Sequence, residues 1–350
     1  MRLEQQQRVH AAAGGDEAKN DAALILASLF RGTLSQRREP MPALYQVTPG
    51  EKRDTLDVRL VDGNVAIAAG FRQIVPLTVA GQDLLLAFDD QGQGTAFRVL
   101  PNPPWIEPVD SNISLGGPSD IVEPLVIGLH PHLLAYQAEA GTMAFIPIAD
   151  DRSSRPVYMF SRKRAPVTTG FTVTKPLVFN GLVYVLCYSF TTGEVDMFSL
   201  DVTATLLSGA KPGTPPLLMR PVWVHEWAKN WTRFAFFTLG LENFFFKINV
   251  GKVNVNIDHI LDDPAAGTVE VGTYLQNQLD DPKDVGIVAP FTMNGGAPYF
   301  ATYRKNGRAD FYRIHADCQG WTREATLDAA AGVTQLVPYE TGGERFQVFY

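Results

Sequence analysis

Apolar positions along this chain fall into short alternating runs, each interrupted by a proline and closed by glycine. Near residue 76 the run reads IVPLTVAGQDLLLAF, near 176 VTKPLVFNGLVYVLCY, near 290 IVAPFTMNGGAPYFATY and near 338 QLVPYETGGERFQVFY. Alternation of apolar and polar residues over a few positions, bounded by glycine, is the mark of a half-buried strand that ends in a tight turn. The marker prolines are Pro76, Pro124, Pro176, Pro221, Pro290 and Pro338, at spacings of 48, 52, 45, 69 and 48 residues. A second strand ends in an aromatic, Phe88, Tyr136, Tyr188, Tyr303 or Tyr350, at 12 or 13 residues after its proline. Glycines close the first turn at Gly81, Gly128, Gly181, Gly295 and Gly343, and the second at Gly94, Gly141, Gly193 and Gly307. The unit at Pro221 is looser, and its second strand is expected to end near Phe236 or Phe237. A unit of roughly 50 residues holding three strands, with room for a fourth, has the size of a propeller blade.

The pattern therefore predicts an all-β chain folded as a six-bladed β-propeller. The last unit stops at Tyr350, with its outer half missing. Ala43-Leu44-Tyr45-Gln46-Val47 resembles the third strands Ala96–Leu100 and Asp310–Ile314. Residues 41–65 are thus expected to complete the last blade, pairing two sheet edges that would otherwise stay open. The prolines agree with this layout, because a residue that cannot donate to a ladder belongs on a strand with one free edge. That makes 41–350 the propeller domain. Residues 1–40 stand outside the pattern as a helical extension, with a short helix at 16–32 whose apolar face is Ala22, Ala23, Ile25, Leu26, Leu29 and Phe30. The segment 250–284 reads as one long insertion that opens with the fourth blade's outer strand.

These units resemble a family of bacterial propeller repeats that read roughly f-x-P-F-x-x-G-x-x-h-x-L-x-Y-x-x-x-t-G-x-h-x-f. The matching stretches cover most of residues 43–350. The family is similar to lectin-like and other binding propellers, so the resemblance implies a role in binding a small molecule, a carbohydrate or a partner.

Composition narrows the classes. About 45% of the residues are hydrophobic and 19% charged, enough apolar material for a packed core. A net charge of −7 and a pI near 5.4 argue against general nucleic-acid binding. No apolar run is long enough for a membrane-spanning helix, so no membrane partner is expected. Cys187 and Cys318 are too few for a disulfide scaffold. The stretch before Ala22–Phe30 is acidic, which does not suit a secretory signal, and a cytoplasmic location is expected.

Candidate chemistry is sparse. The G-x-S-x-G elbow, the P-loop and H-E-x-x-H are all absent. His130 and His132 sit at alternate positions of a strand and could face one ligand, but no further zinc ligand can be placed beside them. No metal and no cofactor are expected. The fourth unit carries His225, Glu226 and Trp227 where its siblings carry glycine, followed by Trp231. Tryptophan faces stack on sugars and organic cations, and packing between blades is the competing use of such rings. The residue before each marker proline is Val75, Glu123, Lys175, Arg220, Ala289 or Val337. Equivalent positions in a propeller form a ring, so Glu123, Lys175 and Arg220 would make a charged arc beside the channel. The arc is either a structural ion pair or an anion grip, with Lys175 and Arg220 holding a carboxylate or phosphate and Glu123 available as an acid or base. Three functions follow: a non-catalytic, lectin-like binding propeller; an enzyme with its site at the channel mouth, acting on an amphipathic anionic small molecule; or a protein-interaction scaffold. Oligomeric state is not readable from these residues.

Overall fold

The computed structural model describes residues 41–350 apart from 53–54, 128–129, 152–154, 160–163, 180, 201–218, 250–253, 264–267, 278, 280–281 and 294–295. The expected helix at 16–32 lies outside the described residues.

The described residues form six small antiparallel sheets, the blades of a six-bladed β-propeller. Blade one runs from Gln73 to Ser114 and blade two from Ile121 to Pro166. Blade three runs from Val173 to Glu226, blade four from Trp231 to Asn277 and blade five from Val285 to Asp328. Blade six takes its inner pair, Leu336–Thr341 and Glu344–Phe349, from the end of the chain, and its outer pair, Ala43–Pro49 and Leu56–Asp62, from the beginning. The expected closure is present. Leu44 pairs with Val348 and Val47 with Arg345, in antiparallel register.

Sequence periodicity explains the inner strands. In blade three the strand Val173–Phe179 buries Thr174, Leu177 and Phe179 with a break in phase at Lys175-Pro176, and Gly181 (φ +77°) turns it into Leu182–Tyr188. Gly193 is needed for a different reason. A Cβ there would stand 2.4 Å from the Trp227 carbonyl oxygen, where the outer strand comes in.

The core lies between blades. Six separate apolar clusters each join two neighbouring blades, and together they close the circle. The aromatic at the end of the second strand has a second task in four blades. The Tyr188 hydroxyl donates to the Ala228 carbonyl at 3.1 Å and accepts the Trp231 N–H at 3.2 Å. Tyr136 does the same with Thr168 and Phe171, Tyr303 with Ala330 and Val333, and Tyr350 with Ala68 and Phe71. Each hydroxyl thus fixes the loop that leads into the next blade. Phe88 in blade one has no hydroxyl to offer, and Ile248 stands at the matching place in blade four.

Two sequence expectations are corrected. Pro221 does not open blade four. It lies in Met219–Glu226, the outermost strand of blade three, opposite Phe198. Blade four starts at Trp231, and Phe236 occupies the position where the other five blades carry proline. Phe236 and Phe237 are therefore inner-strand residues and do not end a second strand. Residues 250–284 are likewise no insertion, because Asn254–Asp263 and Thr268–Asn277 are the third and fourth strands of blade four. The extra length falls instead in blade three, between Glu194–Leu200 and Met219–Glu226.

Candidate functional site

The innermost strands line the central channel, and their register fixes which residues meet there. Val75, Glu123, Lys175, Ala235, Ala289 and Val337 hold the same rung, opposite Leu86, Leu134, Leu186, Phe246, Ala301 and Val348 of the second strands. Two of the six are charged and they are adjacent. Lys175 Nζ lies 2.5 Å from Glu123 Oε2, with both side chains about a quarter exposed (26% and 25%). Arg220 is not on this ring. Its backbone pairs with that of Ser199 from the outermost strand of blade three, so two charged residues, not three, hold the ring positions.

A second cation stands nearby that the sequence reading did not single out. A cavity of about 400 Å³ at the end where the inner strands begin is bordered by Glu123, Thr174, Lys175, Thr232, Arg233 and Phe234, among others. Arg233 Nη1 donates to the carbonyl of Thr232 at 2.9 Å, while its buried Nε has no partner among the described residues. Burial pushes the Arg233 pKa below the ordinary guanidinium value. The hydroxyls of Thr174 and Thr232 are also buried without partners among the described residues. Arg233 holds the place, three residues before the marker position, that Gln73 and Gln335 hold in blades one and six. Those glutamines clasp the next blade: Gln73 accepts the Val122 N–H and donates to the Ser119 carbonyl, and Gln335 does likewise with Ile74 and Arg72. Among the described residues Arg233 makes no such clasp, and it borders the cavity instead. Counting three residues back from Phe236 would have found it, had the start of blade four been placed correctly.

The channel has another compartment at the hairpin end, about 500 Å³, bordered by Phe236, Asn243, Phe291, Tyr339, Arg345 and Gln347, among others. Lys175, Phe236, Pro290 and Pro338 border both compartments.

The aromatic residues of the sequence reading sit elsewhere. Trp227 stacks on Phe245 with ring centroids 5.4 Å apart, and Trp231 is buried at the start of blade four. Both pack around the buried Lys247, whose Nζ lies 4.1 Å from the Trp227 ring centroid and 4.5 Å from that of Trp231. The same ammonium pairs with Asp258 at 2.6 Å. The two indoles thus enclose a cation that the chain itself supplies. His225 and Glu226 are exposed on the outer strand of blade three, with His225 stacked on Trp223. His130 is exposed, whereas His132 is buried with Nδ1 2.8 Å from the His130 carbonyl oxygen. Among the described residues no group of three His, Cys, Asp or Glu side chains could hold a metal ion. Burial raises the Cys187 thiol well above its ordinary pKa and Cys318 to about 11, so neither is an activated nucleophile.

No protein-family model and no curated protein matches the chain. Solved structures do. The SapL1 lectin in complex with α-methyl fucoside superposes with a TM-score of 0.53 at 9% identity, over 81% of this chain and 90% of the lectin. Aleuria aurantia lectin gives 0.49 at 10% identity, over 79% of this chain and 86% of that one. The periplasmic gluconolactonase of Pseudomonas aeruginosa gives 0.46 at 11%, over 83% and 97%. The likeness is one of fold. A fold alone does not fix function, so function has to be argued from the residues of the channel. Among the described residues, no helix is long and apolar enough to cross a membrane.

Proposed function

We propose that this chain is a non-catalytic binding propeller whose channel holds a small amphipathic ligand by its anionic group. The observation that carries the reading is Arg233: a guanidinium drawn partly out of water, with no carboxylate paired to it among the described residues. Such a group is costly unless something anionic arrives. Lys175 and the hydroxyls of Thr174 and Thr232 stand around the same space and can complete an oxyanion site. Phe234, Phe236, Ile121 and Ile287 offer the apolar wall that an organic body would cover. Glu123 neutralises Lys175 while the site is empty. A carbohydrate bearing a carboxylate or phosphate satisfies both walls, in keeping with the lectin-like expectation. Buried free thiols at Cys187 and Cys318 agree with a cytoplasmic setting.

The test is a thermal-shift and calorimetry screen of carboxylates, phosphate esters and uncharged analogues. Anionic ligands should raise Tm, increasingly so at low salt. Arg233→Met should weaken them at least about tenfold, the loss of one charge-assisted contact. Equal binding of charged and uncharged analogues, or an Arg233→Met affinity within twofold of wild type, rejects the site. Recovery of a chemically altered ligand, abolished by Glu123→Gln, would make Glu123 an acid or base and replace the binding reading with an enzymatic one.

A further inference from the structure

The hairpin-end compartment contains no comparable cation grip, yet it borders two polar side chains left unsatisfied among the described residues. Gln347, 1% exposed, has neither its amide nitrogen nor its amide oxygen hydrogen-bonded among the described residues. Tyr339, 9% exposed, has a hydroxyl with no partner among the described residues, and burial pushes its pKa up, so it remains a neutral O–H. Blade six also shows what a satisfied glutamine looks like. Gln46 donates to Glu344 and accepts from Arg59 Nε at 2.7 Å. Buried polar groups are nearly always paired, and those left open without a partner call for an explanation.

We propose that this compartment is a second binding site, for a neutral hydroxyl-bearing ring of the sugar or polyol class. The inference is independent of the anion site. An amide presents donors and an acceptor side by side, and a tyrosine hydroxyl presents one of each. A vicinal pair of hydroxyls answers both with the same chemistry. Charge does not enter, because both cations that border the space are already paired, Lys175 with Glu123 and Arg345 with Glu340. Asn243 donates to the Val178 carbonyl at 3.0 Å, which leaves its side-chain oxygen as a further acceptor. Phe236 and Phe291 border the space, and aromatic faces cover the C–H side of such rings.

The experiment is saturation-transfer NMR on the full chain, with a panel of uncharged methyl glycosides as probes. At least one should receive saturation through its ring protons. Gln347→Met, which fills the same volume without polar atoms, should abolish that transfer and raise the Tm of the ligand-free protein, because an unsatisfied amide is gone. Tyr339→Phe removes a single oxygen and should weaken the same glycoside at least about tenfold; it keeps the test intact if Gln347→Met does not fold. No transfer to any glycoside, transfer retained in both variants, or a crystal structure in the presence of the glycosides with only water on the Gln347 amide would overturn the site. Uncharged probes leave the anion screen untouched, so failure here and failure there are separate results.

Discussion

Tyr188 holds two backbone groups with one oxygen, and its three counterparts repeat the arrangement. Removing that oxygen leaves the Ala228 carbonyl and the Trp231 N–H without their partner, while the ring stays packed against Trp227 and Phe234. Tyr188→Phe should therefore cost about 1–3 kcal/mol, the range for leaving buried polar groups unpaired. Urea denaturation would read this as a lower midpoint with an unchanged slope; an unchanged midpoint would show the hydroxyl to be ornamental. At this scale the sequence disclosed part of the site. Glu123 and Lys175 could be found because each precedes a proline, and proline marks a strand with a free edge. Arg233 escaped because its strand carries Phe236 in place of the marker. Trp227 and Trp231 were visible as an aromatic excess, but a tryptophan does not reveal in sequence whether it faces a ligand or a buried ammonium from its own fold, here that of Lys247.

The strand Ala43–Pro49 is bonded on both sides, to Glu344–Phe349 and to Leu56–Asp62. A proline inside it would break a ladder and bend the one strand that joins the two ends of the chain. Val47→Pro should destabilise the fold by at least about 3 kcal/mol and expose the pair at 43–62 to proteolysis. Survival of wild-type protease resistance would mean that blade six holds without its outer half. Element boundaries were readable where proline, glycine and aromatic agreed, in five blades. They failed at Pro221 for a physical reason: the outermost strand of a blade also has an unbonded edge, so proline is as welcome there as on the innermost. The recurrent offset to the second-strand residue would have arbitrated, since Ile248 stands as far beyond Phe236 as Tyr188 stands beyond Pro176.

No blade owns its core. Every apolar cluster belongs to two neighbours, so losing one blade uncovers two others. Open repeat arrays can unravel from their ends, whereas a closed circle has none. Calorimetry of the ligand-free protein should show one transition, with calorimetric and van't Hoff enthalpies equal. Two resolved transitions would mean that the circle parts into halves. The same closure has a consequence during synthesis. Gln46 bonds to Glu344 across a separation of 298 residues. As the chain leaves the ribosome, the strand at 43–49 emerges well ahead of its mate at 344–349. At translation rates of about 5–20 residues per second, that strand waits on the order of tens of seconds with its edge bare. The interval is an opening for chaperones, and slow codons late in the message would lengthen it.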